Sequence, residues 1–497
     1  MRKVILLLLA MFVFRVNAQP AALSWVQIFH GPAADDTATA IAVNTNGDVF
    51  VTGGSMTTNG YPDYDYATIK YSSTGLPLWT NFYDGTGNSY DMPAAMGLDS
   101  KGNVFVTGVS YGLPISGPDF LTLAYSSNGL PLWTNRYNGS DFFTDEATGL
   151  AVDSNDNVCV IGYSGTAYAL IKYSNAGLPL WTNFLTGPGS EPVANAVIAI
   201  DSNNNLLIAG AALGADSYTH YETAKYSSAG APMWTNFYVG PGNYMDTPRA
   251  VAVDKNGNTF VTGSSWGTGT GYDFATIAYS SAGIPLWTNR YNGPGNDWDG
   301  ATAIALDING NVFVTGYSPL RPGGPPHYTT VAYSGSGIPL WTNIYTGGVA
   351  DDEPSGILVD RLGNVCVTGY STGGGTSSDY ATVEYSGAGL PLWTNRYNGL
   401  LNGPDEASAI AADGSRSIFV TGNSDNGYAT IKYSPLQPDF LGMENLNNTF
   451  VLTWTNAAFS LQCSPVVTGN FTNIPGATSP YTNSITGPQL FFRLQAN

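Results

Sequence analysis

The sequence predicts an all-β chain: an eight-bladed β-propeller closed by its N-terminal strand, followed by a small β-sandwich-like module. Three observations carry this prediction. Tryptophan recurs at positions 25, 79, 133, 181, 234, 287, 341 and 393, at spacings of 54, 54, 48, 53, 53, 54 and 52 residues. A Tyr-Ser pair recurs at Tyr71, Tyr125, Tyr173, Tyr226, Tyr279, Tyr333, Tyr385 and Tyr433. The two ends of the repeat region carry complementary fragments of one unit. Four short β runs at this period are the propeller pattern.

In the first full unit the runs are Thr37–Val43, Val49–Thr52, Tyr66–Tyr71 and Leu78–Tyr83, here termed strands a to d. Strand a alternates Ala38, Ala40 and Ala42 with larger residues, which suits the crowded axis of a ring. Strand b is apolar on both faces, as expected of a sheet held between neighbours. The fourth position of the a–b turn is Gly47, Gly102, Asp156, Asn204, Gly257, Gly310, Gly363 and Arg416. All but the last tolerate a left-handed backbone, so a tight hairpin is expected. For the c–d hairpin the sequence suggests that Lys70, Lys172 and Lys225 face Phe82, Phe184 and Phe237, with Ala124, Ala278 and Glu384 facing Arg136, Arg290 and Arg396.

Residues 406–433 supply strands a, b and c of an eighth unit without a d strand, and residues 22–30 supply a lone d strand. One N-terminal strand therefore completes three C-terminal ones, which removes two open sheet edges.

The phrases Asp-x-x-Gly-Asn-Val-Phe-Val-Thr-Gly, Tyr-Asp-Tyr-Ala-Thr-Ile-Lys-Tyr (64–71) and Leu-Trp-Thr-Asn-Arg-Tyr-Asn-Gly resemble the bacterial SBBP β-propeller repeat over about residues 22–434. The resemblance implies the fold and an extracytoplasmic setting, and no general activity. That family is usually counted at seven blades, whereas this chain counts eight.

Arg2 and Lys3, the apolar run Val4–Phe14 and the small-residue site Val16-Asn17-Ala18 read as a signal peptide over residues 1–18. The mature chain is expected to start at Gln19 and to be secreted or periplasmic, with no membrane span. The propeller then occupies 19–434 and the β module 435–497. That module resembles Ig- or fibronectin-like C-terminal modules of secreted bacterial proteins in residues 474–482 and 491–494.

A formal charge of −19 excludes nucleic acid as a natural partner. Three scattered cysteines, Cys159, Cys366 and Cys463, do not form a disulfide framework. Cys159 and Cys366 replace a repeat Phe and read as small buried hydrophobes.

Carboxylates precede strand a in every unit: Asp36, Asp91, Asp145, Glu191, Asp246, Asp299, Asp352 and Asp405. Asp65, Asp119, Asp273 and Asp379 precede strand c in four units. In a propeller both connections open on one face, so that face is expected to be acidic around the channel mouth. The first reading is that each Asp caps backbone N–H groups. The second is a Ca²⁺ site, with Asp246 and Asp299 as candidate ligands.

Trp266, Trp298 and Trp454 fall outside the tryptophan repeat. Trp266 and Trp298 should meet on the acidic face with Asp297, Asp299, Tyr244 and Arg249, either as loop anchors or as a surface for sugar rings. His220 and His327 occupy matching b–c loop positions and read as surface loop residues before they read as metal ligands.

Gly75 four residues before Trp79 resembles docking phrases of quinoprotein dehydrogenases, yet the adjacent cysteines those enzymes need are absent. The expectation is a secreted, monomeric, non-enzymatic binding or scaffolding propeller whose ligand is an extracellular glycan or protein. A carbohydrate-active hydrolase or lyase on the same face is the alternative, with a quinoprotein-like dehydrogenase behind it.

Overall fold

The computed structural model describes residues 21–33, 35–57, 63–86, 89–112, 117–139, 144–185, 192–348, 350–373, 377–435, 442–446, 449–453, 459–466, 470–484 and 490–496. The expected leader with its Ala18 cleavage site, Glu191 and Trp454 lie outside the described residues.

Residues 23–434 form one unit of eight four-stranded antiparallel sheets. Blade 1 runs β2 (Thr37–Val43), β3 (Val49–Met56), β4 (Tyr64–Tyr71) and β5 (Pro77–Tyr83), from the axis outward. Six more blades repeat that order. The eighth joins Glu406–Ala412, Ile418–Ser424 and Gly427–Pro435 to β1 (Ala21–Phe29) as its outer strand. The inner strand of each blade packs on that of the next, and the inner strand of blade 8 packs on β2. The ring is closed as predicted.

The hydrophobic core lies between blades. At one seam Phe50 and Tyr66 of blade 1 pack with Val104, Val106, Leu121 and Leu123 of blade 2. At the closing seam Phe419 and Tyr428, with Trp25 and Phe29 of β1, meet Ala38, Val51 and Ile69.

Each repeat phrase has a job at a seam. The repeat tryptophan lies over the c–d turn of the following blade, where Nε1 donates to a carbonyl at 2.9–3.3 Å in seven seams. Two residues on, Asn81, Asn135, Asn183, Asn236, Asn289 and Asn343 donate to the carbonyl of that turn's glycine at 2.7–2.8 Å. The glycine is forced twice over. At Gly283, φ is +81°, and an added Cβ would lie 2.6 Å from the Trp234 ring. The ring each glycine meets is that of the preceding blade, as Gly75 meets Trp25, and not the Trp four residues after it. Seven of the eight indoles are only partly buried, so each of these contributes on the order of 2–3 kcal/mol.

The glycine closing strand b answers a second contact. A Cβ at Gly108 would lie 2.7 Å from the hydroxyl of Tyr66, which is fully buried and donates across the seam to Val109 O at 3.2 Å.

All eight a–b turns place their fourth residue at positive φ, including Arg416 at +69°. Sequence type alone disfavours Arg there. Its Nε donates to Asp360 of blade 7 at 2.9 Å, a tertiary contact that holds the side chain in place.

The c–d register differs from expectation by three residues. Lys70 pairs with Trp79, Ala67 with Phe82, Leu121 with Arg136 and Ala381 with Arg396. A tight turn closed by Ser72 N to Leu76 O sets Pro77 opposite Tyr71, and a bulge follows at Lys70/Tyr71. The lysines instead reach the a–b turns of their own blades. Lys70 meets Asp48 at 2.9 Å, Lys172 meets Asp153 at 2.8 Å and Lys225 meets Asp201 at 2.9 Å. Each also donates to the next blade's c–d turn. Blade 8 has no such turn, because its outer strand comes from the other end of the chain. Blade 7 accordingly carries Glu384 at the lysine position, where it hydrogen-bonds the Trp393 indole and the buried Cys366 thiol. All three cysteines are free.

Residues 435–497 contain two three-stranded sheets: Gly442–Leu446, Thr449–Thr453 and Tyr481–Ser484; and Thr472–Asn473, Phe459–Ser464 and Phe491–Ala496. Among the described residues no helix is long and apolar enough to cross a membrane.

Deleting β1 should lower the melting temperature sharply or cause aggregation, read by thermal unfolding and light scattering; unchanged melting contradicts the closure. A second outcome concerns Glu222, which stands where other blades carry residues such as Ala67, Ala169 and Ala275. It is 1 % exposed with Oε2 unpaired, and burial pushes its carboxyl up to about 7 from 4.5. The folded protein then holds a proton the unfolded chain has lost, so stability falls as pH rises through that window. Glu222→Gln should melt with wild type near pH 4 and exceed it by roughly 2–3 kcal/mol at pH 8. Equal pH profiles contradict this account.

Candidate functional site

The d–a and b–c connections lie at one end of the ring. The seven described carboxylates before strand a are buried at this end, each 0–2 % exposed. Each accepts a backbone N–H from a glycine five or six residues upstream, at 2.5–3.2 Å. They are turned inward as staples for the connections. This is the capping of backbone N–H groups that the sequence suggested first, and the acidic character of this face lies inside the seams and not on an open rim.

Asp246 accepts from Gly240 N at 2.8 Å and faces His220 Nδ1 at 3.0 Å. Asp299 accepts from Gly293 N at 2.5 Å, and burial pushes its carboxyl up to about 6. Neither belongs to a cluster of three converging metal-type ligands among the described residues.

His220 and His327 are not surface residues. They are 5 % and 7 % exposed, within the third strands Thr219–Tyr226 and Pro326–Tyr333, and each reaches the capping Asp of the next blade. His327 Nδ1 lies 2.7 Å from Asp352. Burial would lower the His220 pKa, but the bonds and charges of Asp246 and Asp216 outweigh it and hold the imidazole above its ordinary value.

The predicted aromatic pair is part of a longer row. Ring centroids run Tyr218–Tyr244 at 4.7 Å, Tyr244–Trp266 at 5.3 Å, Trp266–Tyr272 at 4.9 Å and Tyr272–Trp298 at 5.7 Å. Tyr218 and Tyr244 are each 38 % exposed and Trp298 is 59 % exposed, while Trp266 and Tyr272 are half-buried. The backbone fixes the row from both sides. Trp266 N donates to Met245 O at 3.3 Å, Gly242 N to Trp266 O at 3.1 Å and Asp299 N to Tyr272 O at 2.7 Å. Asp297 accepts from Trp298 N at 2.9 Å and from Gly323 N of blade 6 at 2.7 Å. Trp266 thus anchors a loop as well as joining the row, whereas the Trp298 ring stands largely in solvent.

Tyr218 and Tyr272 were missed from sequence, although the repeat could have found Tyr272. Tyr272 and Tyr64 both lie seven residues before a Tyr-Ser tyrosine, and Trp266 and Tyr111 both lie three after the strand-b glycine. The same construction recurs at blades 1 and 2, where Tyr64–Tyr90 and Tyr90–Tyr111 are each 5.9 Å apart.

Arg249 belongs elsewhere. It lies in the inner strand Asp246–Val253, at a bulge between Pro248 and Ala250, not in a loop beside Tyr244. Other blades place Thr39, Thr148, Thr302 or Ser355 there, with hydroxyls on backbone carbonyls. The Arg249 charge bears on Tyr163 of blade 3 and Tyr317 of blade 6. Near the start of other inner strands, burial holds the Glu146 and Glu353 carboxyls above their ordinary values. A cleft of about 450 Å³ lined by Leu320, Arg321, Pro325, His327, Thr346 and Gly348 opens on the blade 6 loop that Asp297 grips.

Solved structures similar to this chain include a catalytically inactive virginiamycin B lyase from Staphylococcus aureus with quinupristin, at 12 % identity over 69 % of this chain and 95 % of that one, with a TM-score of 0.42. A protein from Lactobacillus plantarum matches at 14 % identity over 76 % and 98 %, with a TM-score of 0.43. A gluconolactonase from Xanthomonas campestris matches at 15 % identity over 56 % and 83 %, with a TM-score of 0.31. No curated protein matches the chain. The SBBP β-propeller repeat matches residues 238–269 and 341–375, which hold the outer-strand Trp341 phrase and the strand-b glycines Gly263 and Gly369. The chain thus carries the SBBP β-propeller repeat in these two stretches, within a ring of eight four-stranded blades.

Proposed function

We propose that this propeller is an exported, monomeric binding protein that takes an extended glycan along the row Tyr218–Tyr244–Trp266–Tyr272–Trp298. The observation that carries the reading is the row itself: five rings at close spacing, fixed by backbone bonds, with Trp298 59 % exposed. Apolar ring faces beside Asn296, Asp297 and Thr268 suit sugar rings, which present C–H faces flanked by hydroxyls. Loops held in advance spend little ordering entropy on a ligand. An open platform suits binding without turnover better than a deep site holding paired carboxylates.

A hydrolase or lyase reading is favoured by one observation, the raised Glu146 and Glu353 carboxyls on inner strands near the Arg249 charge. It places chemistry at the axis and not at the aromatic row.

Trp298→Ala and Tyr244→Ala should each weaken glycan binding about tenfold, on a glycan array and by titration, with melting unchanged. Wild-type affinity in Trp298→Ala contradicts the platform. The bound glycans should be recovered intact; cleavage products that vanish in Glu353→Gln would establish the enzyme instead.

A further inference from the structure

The seam between blades 1 and 2 departs from a charge pattern kept at five others, blades 3 and 8 having the uncharged Ala167 and Gly427 at the position concerned. The residue opening strand c of one blade faces the capping Asp of the next. At two seams it is His220 or His327, bonded to Asp246 or Asp352. At three it is an aspartate, and the outer strand of the same blade supplies an arginine: Arg136–Asp119 at 2.6 Å, Arg290–Asp273 at 2.7 Å and Arg396–Asp379 at 2.7 Å. Blade 1 keeps the aspartate, Asp65, but Phe82 stands where the arginine would be. The residue two further on is Asp84, where the arginine blades carry Asn138, Asn292 and Asn398. Blade 1 has lost its own cation and gained an anion, and the charge that reaches Asp91 is that of Arg136 in blade 2.

The result is three carboxylates, Asp65, Asp84 and Asp91, each with an oxygen within 4.8 Å of the others. Asp91 is 0 % exposed. Its Oδ2 accepts from Gly85 N at 2.5 Å, while Oδ1 is buried without a hydrogen bond of ordinary geometry. The neighbouring Ser110 hydroxyl is engaged by Arg136 at 2.6 Å. Ser110 and Gly85 soften the effect of burial on Asp91, whose carboxyl is still pushed up to about 6. The Asp65 carboxyl makes no hydrogen bond or ion pair among the described residues, and its Oδ1 is buried. Burial, with the charges of Asp84, Asp63 and Asp91, pushes it up to about 7. Asp63 adds a fourth carboxylate nearby, itself 7 % exposed with Oδ1 unpaired.

We propose that Asp65, Asp84 and Asp91 bind a divalent cation, calcium by the chemistry of the donor set, which replaces the arginine of the sister blades and ties blade 1 to blade 2. Hard carboxylate oxygens with no nitrogen or sulfur donor select such an ion. Two ligands on opposite sides of a calcium ion lie about 4.8 Å apart, so oxygens converging within that distance can share one. The exposed Asp84 edge leaves room for the waters that complete a shell of roughly six to eight oxygens. This site stands apart from the aromatic row of blades 4 and 5 and does not depend on glycan binding.

The test uses the full chain, stripped by chelation and returned to pH 8 at constant ionic strength. Calcium should raise the melting temperature saturably by several degrees, and terbium should show tyrosine-sensitised emission that calcium displaces. Asp84→Asn imports the residue of three sister blades, so the fold should tolerate it; the calcium response should then weaken at least tenfold. Phe82→Arg with Asp84→Asn should restore the sister-blade bridge, melting higher without calcium and no longer responding to it. No melting response to calcium, or an equal response in Asp84→Asn, overturns the site. A response to magnesium and not to calcium overturns the choice of ion.

Discussion

The structure depends on one repeated contact: the indole of each outer strand resting on the glycine turn of the next blade. A single four-stranded sheet of this size cannot bury both its faces, and its outer edge would remain open. The indole N–H and the following asparagine amide satisfy two carbonyls of the neighbouring turn, while the glycine clears the ring. The contact is both apolar and directional, so it sets the spacing and the orientation of adjacent blades. At the closing seam Trp25 donates to Ser73 O at 3.3 Å, and the first strand of the chain thereby joins the last blade to the first.

At the opposite end of the blades the seams are closed by charge. Buried aspartates hold the connecting loops by their glycine amides, and at five seams the neighbouring blade answers with histidine or with an arginine–aspartate bridge. An unpaired carboxylate in such a place costs free energy, which is why the counterions follow the aspartates so closely through the repeats. The lysines on strand c and Glu384 at the blade without a following turn obey the same logic. The three lysines and Glu384 are each matched to the donors or acceptors that their particular seam offers.

Because the seams carry stability, the loops at the buried-aspartate end are free to vary. Blade 5 and its neighbours use that freedom to line up aromatic side chains, with Gly242 allowing the Trp266 ring to sit against the loop backbone: a Cβ there would lie 2.4 Å from the ring. Arg249 is another local departure, on an inner strand where a hydroxyl is the rule. Both are local departures laid over an eightfold pattern.

The sequence by itself determined the blade count, the closure by the first strand, the turn positions and the face on which Trp266, Trp298 and Tyr244 meet. These follow from periodicity and from local backbone preferences, which need no knowledge of neighbours. The c–d register, the burial of the carboxylates and of His220 and His327, and the place of Arg249 were decided only by tertiary structure. A bulge shifts pairing without changing composition, and a polar residue near a loop is exposed or buried according to what the next blade presents to it. Arg416 shows the same limit in one residue: its left-handed backbone runs against its type and is held by a carboxylate 56 positions away along the chain.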